Sequence, residues 1–355
     1  MIKIVQIMPT ISYGDAVSND ALCLMKIIKY MGFKTEIYAE NISDKVKKYA
    51  KNISKYRPDE KDIVIYHFST GSEIINLIRR LKVYKKIIKY HNITPDKYFK
   101  NYNVNLQRLV KDGREQLKKA YDIFDYSLGD SDYNCKELEE YGFKNIEILP
   151  VLIPFNDYNR RPSDKITRKF DDNYTNVLFV GRIAPNKKQE DIIKTFYYYK
   201  KYIDKESRLF LVGSYQGMEE YYDTLKKLVE KLELKDVYFT GHIPFDEIIA
   251  YYSIADLFLC MSEHEGFCVP LIESMLYKVP ILAYNSSAIE NTLGRSGILL
   301  NNNSYYDIAE FMYKLKEDSE LRKKIISAQE ERLKFFSEEN TSKKFKRIIL
   351  DVIRG

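Results

Sequence analysis

The strongest constraint on this chain is a hydrophobic rhythm that changes repeatedly along its length. "IKIVQIM", "KTEIYAE", "DIVIYHF", "KKIIKYHNI", "FDYSLGD" and "NIEILP" are short, β-branched or aromatic, and bounded by breakers, so they read as strands. Helical stretches separate them. Between the first two, Ala21, Leu24, Met25, Ile28 and Met31 form an apolar stripe at helical spacing, with Ser18 or Asn19 as the expected cap and Gly32 as the stop. The second half repeats the theme in "NVLFVGRI", "RLFLVGS", "DVYFTGHI", "DLFLCMS", "VPILAY" and "GILL", with helices expected over 189–202 and 218–232. Two such strings of about six strands predict an α/β chain with two doubly wound parallel sheets.

A length of 355 residues suits two cores better than one. The break is expected within residues 153–173, a linker-like stretch rich in Pro, Asp, Asn and charge. The expected domains are therefore 1–160 and 161–336. The Lys-rich amphipathic tail of 337–355 has no strand to feed and is expected to pack back on the first domain.

Residues 1–150 hold 26 Lys and Arg against 20 Asp and Glu, which accounts for the whole net charge of +6. That excess is too small, and too far from any recognition motif, for nucleic-acid binding. Much of it lies in "LIRRLKVYKKIIKY", residues 77–90, which reads either as a solvated helix face or as a patch for an anionic membrane surface. No apolar run spans a bilayer, and no signal-peptide pattern opens the chain. Cys23, Cys135, Cys260 and Cys268 show no metal-ligand spacing, which favours a reducing, cytoplasmic setting, with Cys260 and Cys268 the pair to test for proximity.

Open parallel sheets bind ligands at the carboxyl ends of their strands. His67, His91, His242 and His264 each read as standing at or just after such an end. In "VGRIAPNKKQEDIIKTF" a strand runs into Gly181 and Arg182, then Lys187 and Lys188 before a helix, an arrangement suited to a diphosphate. In "SEHEGFCVPLIESM", Gly266 permits a close turn and Pro270 suits a first helical turn. Glu265 is expected on the loop and Glu273 in that first turn, both facing a crevice where carboxylates accept hydrogen bonds from sugar hydroxyls. The amides of Phe267, Cys268 and Val269 are expected to hold oxygens.

Strand, Glu265, Gly266, Phe267, two residues, Pro270, Glu273 and Met275 resemble the retaining glycosyltransferases of family 4. "GRIAPNKK", "LVGSYQGMEEYY", "FTGHIPFDEIIAYYSIADLFL" and "KVPILAY" extend the likeness over most of 176–300. "YGDAVSND" and "YHNITP" carry it more loosely into the first half. The resemblance implies the GT-B fold of two facing Rossmann-like domains with a cleft between them. It implies transfer of a sugar from a UDP- or GDP-sugar to a glycan or lipid-linked acceptor, in surface polysaccharide biosynthesis.

By that resemblance Arg182 and Lys187, beside Gly181, bind the donor diphosphate. Glu273 binds the ribose, and Glu265 with the Gly266–Val269 backbone holds the sugar. Gly14 approaches a phosphate, His91 sits on the reacting face, and His242 lines the base slot. Many relatives have two glycines where Gly14 stands alone, and Asn291 occupies a site that is often acidic, with Glu290 one position earlier. No cofactor and no metal are expected. "GDSDYN" contains the pair Asp130 and Asp132, known as a manganese motif elsewhere, but Ser131 reads better as a helix cap. The alternatives are an epimerase or phosphorylase of the same fold, and a non-catalytic sugar-nucleotide binder. A dehydrogenase is disfavoured because no strand leads into Gly-x-Gly-x-x-Gly.

Overall fold

The computed structural model describes residues 2–301 and 304–354. It divides into two compact units. The first holds the residues up to Lys97, Asn105–Phe155 and the C-terminal stretch from Phe335; the second holds Tyr98–Val104 and Asn156–Lys334.

The first unit is built on seven strands: β1 (Lys3–Ile11), β2 (Lys34–Ile42), β3 (Ala50–Asn52), β4 (Asp62–Phe68), β5 (Lys85–Tyr90), β6 (Tyr126–Gly129) and β7 (Ile146–Ile148). They pair in the order β3-β2-β1-β4-β5-β6-β7, every pair parallel. β4 is buried along its whole length, as expected when helices cover both faces of a sheet. The order reverses between β1 and β4, which fixes the switch point of this sheet. The helix Glu338–Arg354 closes one face: Phe345, Ile348, Ile349 and Val352 join Ile4, Ile63, Ile65, Ile87 and Leu128 in one buried cluster.

The first helix, Ala16–Tyr30, is capped by Asp15 rather than by Ser18 or Asn19. The Asp15 carboxylate accepts from the Ser18 amide at 3.0 Å and the Ser18 hydroxyl at 2.8 Å, while that hydroxyl also accepts from the Ser12 amide at 2.9 Å. Ser18 is committed to the loop before the helix, so the residue three positions earlier takes the cap. Gly32 stops the helix at a φ of +84°, with Phe33 N–H donating to the Ile28 carbonyl.

The second unit has six parallel strands: β8 (Thr175–Val180), β9 (Ser207–Val212), β10 (Val237–Gly241), β11 (Leu257–Cys260), β12 (Ile281–Tyr284) and β13 (Ile298–Leu300). Their order is β10-β9-β8-β11-β12-β13, so the switch point lies between β8 and β11. Residues 153–173 are more than a connector. They contain a short helix, Asp164–Lys169, and Phe170 packs edge-on to Phe210 at 4.8 Å. Aromatic burial overrides the polar composition of that stretch.

Candidate functional site

In the second unit the chain leaves β8 through Gly181, at a φ of +155°, and Gly213 follows β9 at +153°. A Cβ on Gly213 would lie 2.0 Å from the Gly181 carbonyl oxygen, so glycine is what lets these two strand ends touch. The chain then makes a tight turn at Pro185–Lys187 before the helix from Gln189. The loop after β11 is tied to that turn: Glu263 N–H donates to the Asn186 carbonyl at 2.9 Å, and Asn186 Nδ2 donates to the His264 carbonyl at 3.0 Å.

This stitching places Lys187 Nζ 2.5 Å from Glu265 Oε1. Glu265 is 8% exposed, and its amide donates to Ser287 Oγ at 2.8 Å. Burial opposes the Lys187 charge, but Glu265 outweighs it and holds the ammonium above its ordinary range. Two residues expected at opposite ends of a ligand, one at phosphate and one at sugar, thus form an ion pair at the switch point.

Arg182 is exposed, and its Nη2 donates to the Gln216 carbonyl at 3.5 Å. Lys188 does not stand beside it as a second open cation. It lies 2.9 Å from Glu190, 3.4 Å from Asp191 and 3.7 Å from Glu263.

The helix Val269–Leu276 follows Cys268, which has a φ of +71°. Glu273 is its fifth residue and stands in the second turn, not the first. Proline at the second helical position starts the helix earlier than the acid, which removes any capping role. Glu273 Oε1 accepts from the Tyr158 hydroxyl and Oε2 from the Tyr252 hydroxyl, both at 2.6 Å. Burial pushes this carboxyl up, and the two phenols pull against it. The phenols occupy the acceptor capacity that the sequence reading reserved for hydroxyls of a ligand. The Phe267 carbonyl accepts from the Thr292 hydroxyl, which anchors the turn. His242 is exposed, one residue past β10. Cys260 and Cys268 are buried free thiols, and their sulfurs and a Glu265 oxygen all lie within 4.8 Å of one another.

In the first unit Gly14 makes a left-handed turn at +82° between β1 and its helix. His67 is the penultimate residue of β4, at its carboxyl end, and is fully buried. Its ring lies edge to edge and nearly coplanar with that of His91, which directly follows β5, with the ring centroids 5.2 Å apart.

A chain of hydrogen bonds fixes the protons of this pair. Gln6 Nε2 donates to the Ala21 carbonyl at 3.0 Å, so Gln6 Oε1 faces His67 Nε2, 2.9 Å away, as an acceptor. His67 Nε2 therefore carries hydrogen. Burial pushes His67 well below the usual histidine range, so it is neutral and its Nδ1 accepts. His91 Nε2, 2.9 Å from that Nδ1, must donate, and His91 Nδ1 donates to Asp130 Oδ2 at 2.8 Å. His91 thus donates from both nitrogens, as an imidazolium does. Both nitrogens are committed inside the first unit.

Lys89, fully buried in β5, donates to Asp130 and to the Leu149 carbonyl. Asp20 Oδ2 lies 3.9 Å from both Lys89 and His91, while Oδ1 accepts from the Leu152 amide at 2.8 Å. Lys89 and His91 thus face two buried carboxyl groups, and burial outweighs both neighbours at Asp20, pushing its carboxyl up. Burial raises the Asp130 carboxyl, but His91 and Lys89 overcome it and leave it below its usual range.

Asp130 and Asp132 do not converge. Asp132 pairs with Lys136 at 2.7 Å, and Ser131 Oγ caps the following helix by accepting from the Asn134 amide at 3.2 Å. The basic stretch 77–90 is also not one surface. Lys89 belongs to the buried network, Arg79 pairs with Asp122 at 3.0 Å, and Arg80 and Lys82 are exposed. Among the described residues no helix is long and apolar enough to cross a membrane. A surface cavity of about 510 Å³ beside the start of β8, lined in part by Arg168, Asp172, Asn176 and Lys316, contains none of the groups above.

Residues 161–332 match the family described as Glycosyl transferases group 1, a span wholly inside the second unit. An uncharacterized glycosyltransferase, MJ1069 of Methanocaldococcus jannaschii, is 32% identical over 162 residues, 45% of this chain and 40% of that protein. The O-antigen chain mannosyltransferase RfbU of Salmonella typhimurium is 30% identical over 158 residues, 44% of this chain and 42% of its own. The chain thus spans about two fifths of these relatives' length. Among solved structures, Anabaena Alr3699/HepE in complex with UDP-glucose superposes with a TM-score of 0.76 at 16% identity, covering 98% of this chain and 99% of that one. A glycosyltransferase from Rickettsia africae gives 0.75 at 16%, covering 99% of each. At such identities the likeness shows the fold, the GT-B arrangement of two Rossmann-like parallel-sheet domains.

Proposed function

Through residues 161–332 the chain belongs to the group 1 glycosyl transferases, and on that premise we propose that it transfers a sugar from a nucleotide diphosphate to an acceptor hydroxyl. The observation that carries this reading is the Lys187–Glu265 pair at the switch point of the second sheet, with exposed Arg182 at the end of β8. A bound diphosphate draws Lys187 and Arg182 toward its oxygens. That frees Glu265 for sugar hydroxyls while the backbone turn at Gly266–Val269 lies against the same sugar. A ribose hydroxyl reaches Glu273 by displacing the Tyr158 or the Tyr252 hydroxyl. His242 is the candidate for the base slot.

The transfer proceeds with retention. The acceptor oxygen bonds to the anomeric carbon on the face from which the diphosphate departs, and a leaving phosphate oxygen takes the acceptor proton. Arg182 and Lys187 neutralise the charge that develops on the diphosphate. No metal is assigned to the step; full turnover in EDTA is the expected result. The O-antigen and UDP-glucose names of the relatives support a UDP- or GDP-sugar donor and a glycan or lipid-linked acceptor. A lipid-linked acceptor brings Arg80 and Lys82 to an anionic surface, which liposome flotation with and without anionic lipid tests.

A thermal-shift panel of nucleotide sugars tests the donor. The right one at a hundredfold excess over its Kd stabilises the fold by about 2.7 kcal/mol. Arg182→Ala, at an exposed position, should keep the melting temperature and lose the shift. Stabilisation that survives both Arg182→Ala and Lys187→Ala would overturn the reading. Donor binding with no nucleotide released to any acceptor would favour a non-catalytic binder.

A further inference from the structure

The thiols beside Glu265 take no part in the transfer just described. Cys260 ends β11 and Cys268 precedes the next helix, eight positions on, and both are nearly inaccessible at 1% and 7% exposure. The loop between them folds Glu265 back so that both sulfurs and one carboxylate oxygen lie within 4.8 Å of one another. Cys268 holds a φ of +71°, where a side chain is costly and glycine is not. The chain carries a thiol there against the preference of its own backbone. Zinc binds the thiolate, so a thiol that takes part gives up its proton to do so.

We propose that Cys260, Cys268 and Glu265 form a zinc site whose occupation blocks the donor site. Tetrahedral zinc needs Zn–S bonds of about 2.3 Å and a Zn–O bond of about 2.1 Å, so its ligand atoms stand about 3.5–3.8 Å apart. The three atoms need only a small contraction to reach that. Binding forms two Zn–S bonds and one Zn–O bond and releases both thiol protons to solvent. Two thiolates and one carboxylate against Zn²⁺ leave a single negative charge, which the Lys187 ammonium beside Glu265 offsets. The fourth position takes water. A carboxylate so bound cannot accept from a sugar, so zinc and donor exclude each other. This exclusion, unlike the binding itself, rests on the function proposed above.

Cadmium titration of the full chain under a non-thiol reductant is the test, read as the sulfur-to-cadmium charge-transfer band. One cadmium per chain is expected, with zinc displacing it. Cys260→Ser and Cys268→Ser should each abolish the band, while Cys23→Ser and Cys135→Ser leave it intact. Glu265→Gln keeps both thiols and should weaken cadmium by about tenfold or more. Melting temperatures measured without metal establish that each variant is folded. A band that survives in both Cys260→Ser and Cys268→Ser, or the absence of any band in the wild type, overturns the site. The donor found by thermal shift should raise the apparent cadmium Kd in proportion to its concentration. Tight cadmium binding that the donor leaves unchanged keeps the metal site and removes Glu265 from the donor site.

Discussion

Replacing Lys89 by Met tests whether the buried charges of the first unit are matched as the hydrogen bonds imply. Lys89 has no exposed surface, and it faces Asp130 directly and Asp20 at 3.9 Å. Met has nearly the same length, so the cavity term is small and the loss is electrostatic. Without the ammonium, the Asp130 carboxylate loses its directly bonded cation, Asp20 loses a nearby one, and the Leu149 carbonyl loses its donor. Leaving one uncompensated charge in a protein interior costs about 3–5 kcal/mol. In a domain of roughly 150–250 residues, 1 kcal/mol lowers Tm by about 2–4 °C, so a fall of about 6–20 °C is expected.

Circular dichroism melts measure this fall, and a second substitution assigns it. Lys89→Met with Asp130→Asn removes one anion along with the cation and should recover at least half of the loss, provided the asparagine still accepts from His91. A Lys89→Met protein that melts within about 2 °C of the parent would refute the charge matching. So would a double variant less stable than the single one.

Tyr252→Phe leaves one buried oxygen of Glu273 without its donor and should cost about 1–3 kcal/mol at neutral pH. Because the folded carboxyl already titrates above its ordinary value of 4.5, the folded state binds more protons than the unfolded one in the window just above it. Stability of the second unit should therefore fall as pH rises through that window, and more steeply in Tyr252→Phe; urea titrations at stepped pH check the slope. Gly213→Ala drives a Cβ to 2.0 Å from a backbone oxygen and should cost about 3 kcal/mol or more, seen as loss of soluble protein or of cooperative melting. Phe345→Ala opens a cavity under the C-terminal helix and should cost about 3–5 kcal/mol by chemical denaturation, with the second unit's transition unmoved.

The alternation of strand and helix was legible because each run has its own period and its own breakers. β3 was not: "AKN" carries no apolar signal, and it is a strand only because Ile37 to Ala39 offers it an edge. At the site, the likeness of "GRIAPNKK" and "EGFCVPLIE" to a known pattern set Lys187 and Glu265 in one group, and the structure brings the two side chains together. It did not reveal that they pair with each other, since that depends on Asn186 tying two loops 78 residues apart. Tyr158 and Tyr252 gave no signal among 31 tyrosines. Lys89 did give one that was read the wrong way. A lysine at the buried carboxyl end of a parallel strand, directly after Ile87 and Ile88, marks a buried charge before it marks a surface patch.

The helix that completes the first unit follows every element of the second. As synthesis runs from the N-terminus, every strand of the first sheet emerges early, yet the part of its apolar face beyond Leu24, Ile27 and Ile28 waits for Phe345 and Val352. The second sheet and its helices, complete by Lys334, have all their partners before that moment. Maturation on the ribosome therefore inverts the order of the sequence. The unit that starts the chain is the last to close, and through that interval its exposed isoleucines are the surface a chaperone has to guard.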